Sequence, residues 1–177
     1  MRIIGGVLKG QILKCPVGVI RPAMDKMKES IFQIIGELSQ KSFLDLFSGS
    51  ASIALEASSR GAQTIYLVEK DKLKVNTILE NIKISPVKIH CKFMSAELFL
   101  KRNKEQFDYI FCDPPFPYNF HKELIDLIYS TGSLKKTGIV MIHRPSEKIL
   151  PEIINGFKRV DQRIFGRSVV DFYQYNV

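Results

Sequence analysis

The sequence predicts an α/β fold: a doubly wound, mostly parallel sheet between helices, closed by an antiparallel hairpin and preceded by a small basic extension. Three observations predict it. From residue 42 onward, apolar β-rich runs alternate with segments of helical spacing, and repeated strand–helix units with short connections build a parallel sheet between helix layers. The tail departs from that rhythm, joining two β-rich runs through FGRS, a hairpin signal. The start departs too, with glycine-flanked apolar runs and clustered positive charge.

Taken in order, RIIGG and QILKC flank a turn containing Gly10 and predict a small hairpin. AMDKMKESIFQIIGEL places Met27, Ile31, Ile34, Ile35 and Leu38 at helical spacing, with Asp25 as N-cap. SFLDLF (42–47) reads as a buried strand, followed by a helix over 51–60. TIYLVE (64–69) is a second strand, and a helix runs from Asp71 to Ile82. VKIHCKF (87–93) is the third strand, and SAELFLKR is a helix capped by Ser95. FDYIFC is the fourth strand, HKELIDLIYS a helix and GIVMIH (138–143) the fifth strand. SEKILPEII predicts a short helix before the closing hairpin FKRVDQRIFGRSVVDFYQYN. At 177 residues the chain fits one domain, 1–177, with 1–40 as a docked hairpin–helix extension and 41–177 as the sheet.

Hydrophobic content of 45% with 25% charged residues is ordinary globular composition. No apolar run is long enough to span a membrane, and the N-terminus lacks a signal-type apolar core. Cys15, Cys91 and Cys112 form an odd count with no CxxC pair. That argues against a disulfide framework and a zinc site, and favours the reducing cytoplasm. The net charge is +8, and residues 1–36 carry six cations (Arg2, Lys9, Lys14, Arg21, Lys26, Lys28) against Asp25 and Glu29. Half of the excess charge thus lies in about a fifth of the chain, which predicts a polyanionic partner, RNA or DNA. Arg167, in the closing hairpin turn, is counted with the RNA-binding set.

Three constellations carry chemistry. In LDLFSGSASIALEASSRGA (44–62) a strand ends at Asp45, a turn bearing Gly49 follows, and a helix begins. Doubly wound sheets bind ligands over this turn, and Gly49 permits close backbone approach. The dinucleotide fingerprint GxGxxG is incomplete, since Gly49 is followed by Ser-Ala-Ser-Ile-Ala. In YLVEKD, Glu69 ends the second strand twenty residues after Gly49, where a carboxylate can accept both ribose hydroxyls of a nucleoside. The third is Asp113-Pro114-Pro115-Phe116, on a strand expected beside the first, so that Asp113 enters the same crevice. Prolines restrict their own φ and the preceding residue, so Asp113 and the Pro114 carbonyl are held as acceptors without competing donors. Phe116 adds a stacking surface. Two fixed acceptors and an aromatic face suit a planar base with an exocyclic amine, whose nitrogen lone pair is otherwise delocalised into the ring. Catalysis is then alignment of amine, methyl carbon and leaving sulfur, with electrostatic support as nitrogen becomes positive.

DPPF resembles the [DNS]-P-P-[YFW] motif of amino-group methyltransferases that use S-adenosylmethionine. The whole chain resembles the RsmD family of bacterial 16S ribosomal RNA guanine 2-amino methyltransferases, through RIIGG..KG (2–10), RPAMDKMKESIF (21–32), LDLFSGSASIALEASSRGA, VEKD, DPPF and RIFGRSVVDFY. The resemblance implies a seven-stranded class I methyltransferase sheet with an RNA-binding extension, acting on assembled or assembling small subunits. It implies S-adenosylmethionine as cofactor and 16S ribosomal RNA in a protein-bound particle as partner. By position, Asp45, Phe47 and Gly49 are expected at the methionine part of the cofactor, and Glu69 with Lys70 at its ribose. Ser95 and Ala96 are expected near its adenine, while Asp113, Pro114 and Phe116 face the amine and Asp113 also borders the cofactor. Four positions depart from the family pattern: Ala51 for the loop's second glycine, Ala23 in RPA for RPT, Ser95 for an acid or amide, and His143 for an acid. His143, beside Arg144, is expected at the surface or facing RNA. A DNA adenine methyltransferase shares DPPF but usually needs a target-recognition region, for which 177 residues leave little room. A noncatalytic RNA-binding protein of this fold is disfavoured by the retained Glu69 and Asp113, and a nicotinamide oxidoreductase by the incomplete glycine fingerprint.

Overall fold

The computed structural model describes residues 1–16 and 24–177. Arg21 and Ala23 lie outside the described residues. Among the described residues, eight strands form one sheet in the order β3-β2-β1-β4-β5-β8-β7-β6. They are β1 (Ser42–Leu46), β2 (Thr64–Val68), β3 (Ile89–Lys92), β4 (Phe107–Cys112), β5 (Leu134–Pro145), β6 (Ile153–Ile154), β7 (Phe157–Phe165) and β8 (Ser168–Tyr175). β3, β2, β1, β4 and β5 pair in parallel, and β8, β7 and β6 continue antiparallel. The helices are α1 (Met24–Ile35), α2 (Ser52–Ser59), α3 (Val75–Asn81), α4 (Ala96–Arg102) and α5 (His121–Ser130).

Alternation along the strands sorts the apolar residues onto two faces. Phe43, Ile65, Leu67, Phe111 and Met141 pack with α1, α2 and α3, whereas Leu44, Leu46, Val68, Ile110 and Ile142 pack with α4 and α5. Both faces are covered, so these strands read as continuous apolar runs. Ser95 caps α4 by accepting from the Leu98 amide at 3.2 Å, and Asp71 accepts from Leu73 at 3.0 Å before a short 3-10 turn that leads into α3.

The sheet differs from expectation in one region. SEKILPEII forms no helix; Ile153–Ile154 instead pairs with β7 as an eighth strand. Pro151 has no N–H and its ring obstructs a preceding helical turn, while Ile154 is fully buried beside Phe157. A short apolar run fits either element by pattern alone. Asp25 also differs: it lies within the first turn of α1 rather than before it.

The extension packs on α2. Its hairpin closes through Arg2 and Ile12, with Ile3 donating to Gln11 at 3.0 Å. Ile3 and Leu13 share a core with Ile31 and Ala54. Glu56 of α2, fully buried, accepts from the Ile4 amide at 3.0 Å, the Gly5 amide at 2.8 Å and Arg60 Nε at 3.0 Å. Ser59 Oγ donates to the Gly5 carbonyl and accepts from the Leu8 amide. A Cβ on Gly6 would stand 1.8 Å from the Ser59 carbonyl oxygen. The paired glycines of RIIGG therefore let backbone meet helix.

Candidate active site

From β1 the sheet grows to β2 and β3 on one side, and the chain then crosses to β4 on the other. The C-terminal ends of β1 and β4 meet at this switch point, the place where doubly wound sheets hold ligands. Leu46 pairs with Cys112, and the Asp113 amide donates to the Leu46 carbonyl at 3.3 Å. Asp113 thereby stands beside the turn that follows β1, the same turn in which the Gly49 amide meets Glu69.

The loop after β1 turns sharply. Phe47, Gly49 and Ala51 all have positive φ, at 59°, 66° and 70°. For Phe47 and Ala51 this costs about 1–2 kcal/mol each, so surrounding bonds must hold the loop. Ser48 Oγ donates to Asp45 Oδ2 at 2.7 Å, and the Ala54 amide donates to the same oxygen at 3.1 Å. The Ser48 amide reaches the Val68 carbonyl at 3.0 Å. Glu69, also buried, accepts from the Gly49 amide at 2.8 Å and the Asp71 amide at 2.9 Å through separate oxygens. The loop is thus clamped between two carboxylates from adjacent strands. Ala51 carries the strain that a glycine would relieve.

Asp45 is fully enclosed. Burial pushes its carboxyl up to about 7, and the negative charges of Asp113 and Glu69 add to the rise, against the hydrogen bonds from Ser48 and Ala54. Three carboxylates therefore share one electrostatic environment. Such a crevice favours a cationic ligand and opposes a pyrophosphate.

The DPPF turn closes the crevice from the β4 side. Pro114 is buried and Pro115 exposed. No backbone donor among the described residues is bonded to the Pro114 carbonyl outside regular strands and helices. Phe116 is 67% exposed, available as a stacking face. The rest of the turn is fastened by residues whose part was not foreseen. Tyr118 donates to Glu97 Oε1 at 2.6 Å and sets its ring edge-on to Phe47 at 5.3 Å. Lys148 Nζ donates to the Tyr118 carbonyl and to Asn119 Oδ1 at 2.7 Å. His121 packs against Tyr118 at 5.3 Å, and burial first, then Lys148 and Arg144, drive its pKa down to about 4.

His143 departs from the expected surface position. It is not a surface residue: its side chain is 12% exposed and its Nδ1 lies 2.7 Å from Asp113 Oδ1. The contact follows from strand register, since Cys112 pairs with Ile142 and the following residues on both strands become neighbours. Lys28 is the second correction. Rather than facing RNA, it is completely buried, donating to the Arg2 carbonyl at 2.6 Å and Ser52 Oγ at 3.0 Å, with Glu56 at 3.6 Å. A fixed hairpin carbonyl and a buried carboxylate draw the ammonium inward. Arg2, Lys9, Lys14, Lys26 and Arg167 are exposed, Arg2 lying 3.8 Å from Asp25 and Lys14 3.6 Å from Glu80. Lys70 is exposed at the end of β2, and Ala96 is buried under the Ser95 cap.

The family model described as conserved hypothetical protein 95 matches residues 1–174. A Bacillus subtilis relative, YlbH, is 33% identical across 98% of both chains. The Haemophilus influenzae protein named ribosomal RNA small subunit methyltransferase D is 32% identical over 86% of this chain and 83% of its own. The chain belongs to the RsmD family. In this RsmD-family chain the fold is likewise shared: the solved yhhF structure from Escherichia coli superimposes with a TM-score of 0.87, at 27% identity, covering 99% of this chain and 98% of that one. The likeness spans the extension as well as the sheet.

Proposed function

We propose that this RsmD-family protein transfers a methyl group from S-adenosylmethionine to the exocyclic 2-amino group of a guanine in 16S ribosomal RNA, within a small-subunit particle. The observation that carries the reading is Asp113, held by the Leu46 carbonyl and two prolines at the switch point, opposite the Glu69–Gly49 clamp. The residues fit the cofactor. Glu69 accepts one amide on each oxygen, and each oxygen keeps a further lone pair for the hydroxyls of a vicinal diol. A Cβ built on Gly49 meets nothing within 4 Å, so its backbone faces open space in which a ligand can approach. When bound, S-adenosylmethionine supplies a methyl group on cationic sulfur, a charge matched by the acidic crevice. Ser95 and Ala96, at the start of α4, are assigned to the adenine side, and Asp45 with Phe47 to the methionine side.

On the substrate side, Asp113 and the Pro114 carbonyl accept the two amine hydrogens and aim the nitrogen lone pair. As nitrogen becomes cationic, the Asp113 carboxylate opposes that charge in a site shielded from water. Phe116 stacks on the base, which must leave any helix to reach this depth. Arg2, Lys9, Lys14, Lys26 and Arg167 supply phosphate contacts. The reading is tested by Asp113→Ala and Asp113→Asn in single-turnover methyl transfer to small subunits at saturating cofactor. Both variants should bind S-adenosylmethionine nearly normally. Asn should be slowed roughly a hundredfold to a thousandfold, with Ala slower still. Cofactor binding lost in proportion to rate would move Asp113 into the cofactor site instead.

A further inference from the structure

Asp113 has two carboxylate oxygens, and the proposed reaction uses one. Its backbone is set by the Leu46 carbonyl and by Pro114, but neither contact fixes rotation of the side chain. A carboxylate turned by even a fraction of its range would present the wrong oxygen to the amine. His143 is the group that removes this freedom. It sits at the matching position of the neighbouring strand, and its Nδ1 is 2.7 Å from Asp113 Oδ1. Both side chains are largely enclosed, at 12% and 16% exposure, so the contact is shielded from competing water. An ionised carboxylate only accepts, so Nδ1 carries the hydrogen. Across β8 the backbone neighbour of His143 is Val170, which offers no rival polar side chain.

We propose that His143 is a positioning residue for methyl transfer: its Nδ1–H holds Asp113 Oδ1 and turns Oδ2 toward the substrate amine. This inference rests on the assignment of Asp113 to the amine. The choice of an imidazole near the end of β5 then has a physical consequence. A second carboxylate there would repel Asp113 or share a proton with it, whereas an imidazole N–H leaves the full charge on Asp113 and fixes its direction.

The test uses the full chain, labelled S-adenosylmethionine and small subunits from cells lacking this protein. His143→Leu removes the donor. His143→Asn keeps an N–H near the position of Nδ1 without an imidazole. Circular dichroism and calorimetric binding of S-adenosylhomocysteine confirm that each variant is folded with an intact cofactor site. His143→Leu should lower single-turnover rate roughly tenfold to a hundredfold, the scale of a misplaced reacting group, while cofactor affinity changes less than twofold. His143→Asn should recover most of the rate. On an Asp113→Ala background, His143→Leu should have no further effect, because its only route to the amine is gone. Full rate in His143→Leu, an equal loss in His143→Asn, or an undiminished His143→Leu effect on the Asp113→Ala background would each overturn the proposal. Full rate in Asp113→Ala alone would overturn the assignment of Asp113 to the amine before His143 came into question.

Discussion

Replacing Asp45 with Asn should change how stability depends on pH. In the unfolded chain this carboxyl titrates near 3.8, and in the folded protein burial raises it to about 7. The folded state therefore binds more protons than the unfolded state across that window. Stability contributed by the protonated form is fully present below 3.8 and is lost as pH rises toward 7. Between pH 5 and pH 8 the unfolded carboxyl is already ionised, so the loss runs over about two pH units, from 5 to the folded pKa. At 1.36 kcal/mol per unit this is about 3 kcal/mol. An asparagine can still accept from Ser48 Oγ or the Ala54 amide through its carbonyl, but it cannot titrate. Other carboxyls, such as Asp108 beside Ser42 and Lys135, are lowered and act in the opposite sense, so the comparison must be between the two proteins. Urea unfolding at half-unit steps from pH 5 to 8 measures it. The stability of Asp45→Asn relative to the original protein should rise by about 3 kcal/mol over the range. Parallel curves would show that Asp45 ionises normally and that the acidic crevice does not hold it protonated.

Gly49→Ala should cost about 1 kcal/mol of stability from its positive φ, yet weaken S-adenosylmethionine binding more than tenfold, because the added methyl enters the open side of the clamp. Calorimetry and urea unfolding on the same protein separate the two effects. Replacing Arg2, Lys9 and Lys14 with Ser should reduce the salt slope of RNA binding by about 2, fewer than three because Arg2 and Lys14 already face Asp25 and Glu80. Lys28→Met should leave that slope unchanged and instead destabilise the fold by about 2–3 kcal/mol, since Glu56 keeps its three other donors while the Arg2 carbonyl loses its partner. Phe116→Ala should lower turnover by the equivalent of about 1–3 kcal/mol while Phe116→Tyr stays near the original rate.

Much of this architecture was legible because it obeys short-range rules. Strands covered on both faces read as unbroken apolar runs, helices announced themselves by caps such as Ser95 and Asp71, and strand-end residues converged as a doubly wound sheet requires. What was not legible depended on register or on burial of a charged group. His143 and Asp113 are thirty residues apart, and their contact follows only from the pairing of β4 with β5. Lys28 looks like any cation on an amphipathic helix until Glu56 and the hairpin carbonyl are placed around it. The segment holding Pro151 has an apolar pattern that fits both helix and strand, and the proline together with the edge of β7 decides between them. Lys148, which pins the turn after DPPF, lies beyond the end of β5 and carries no local motif.

The most direct test of the account is chemical identification of the product. Small subunits from cells lacking this protein are incubated with the purified chain and labelled S-adenosylmethionine, and the RNA is then digested to nucleosides and separated by mass. The account predicts label in N2-methylguanosine, approaching one per particle in 16S ribosomal RNA and absent when Asp113→Ala replaces the original protein. Label in N6-methyladenosine, or no label from a protein that binds the cofactor normally, would contradict it.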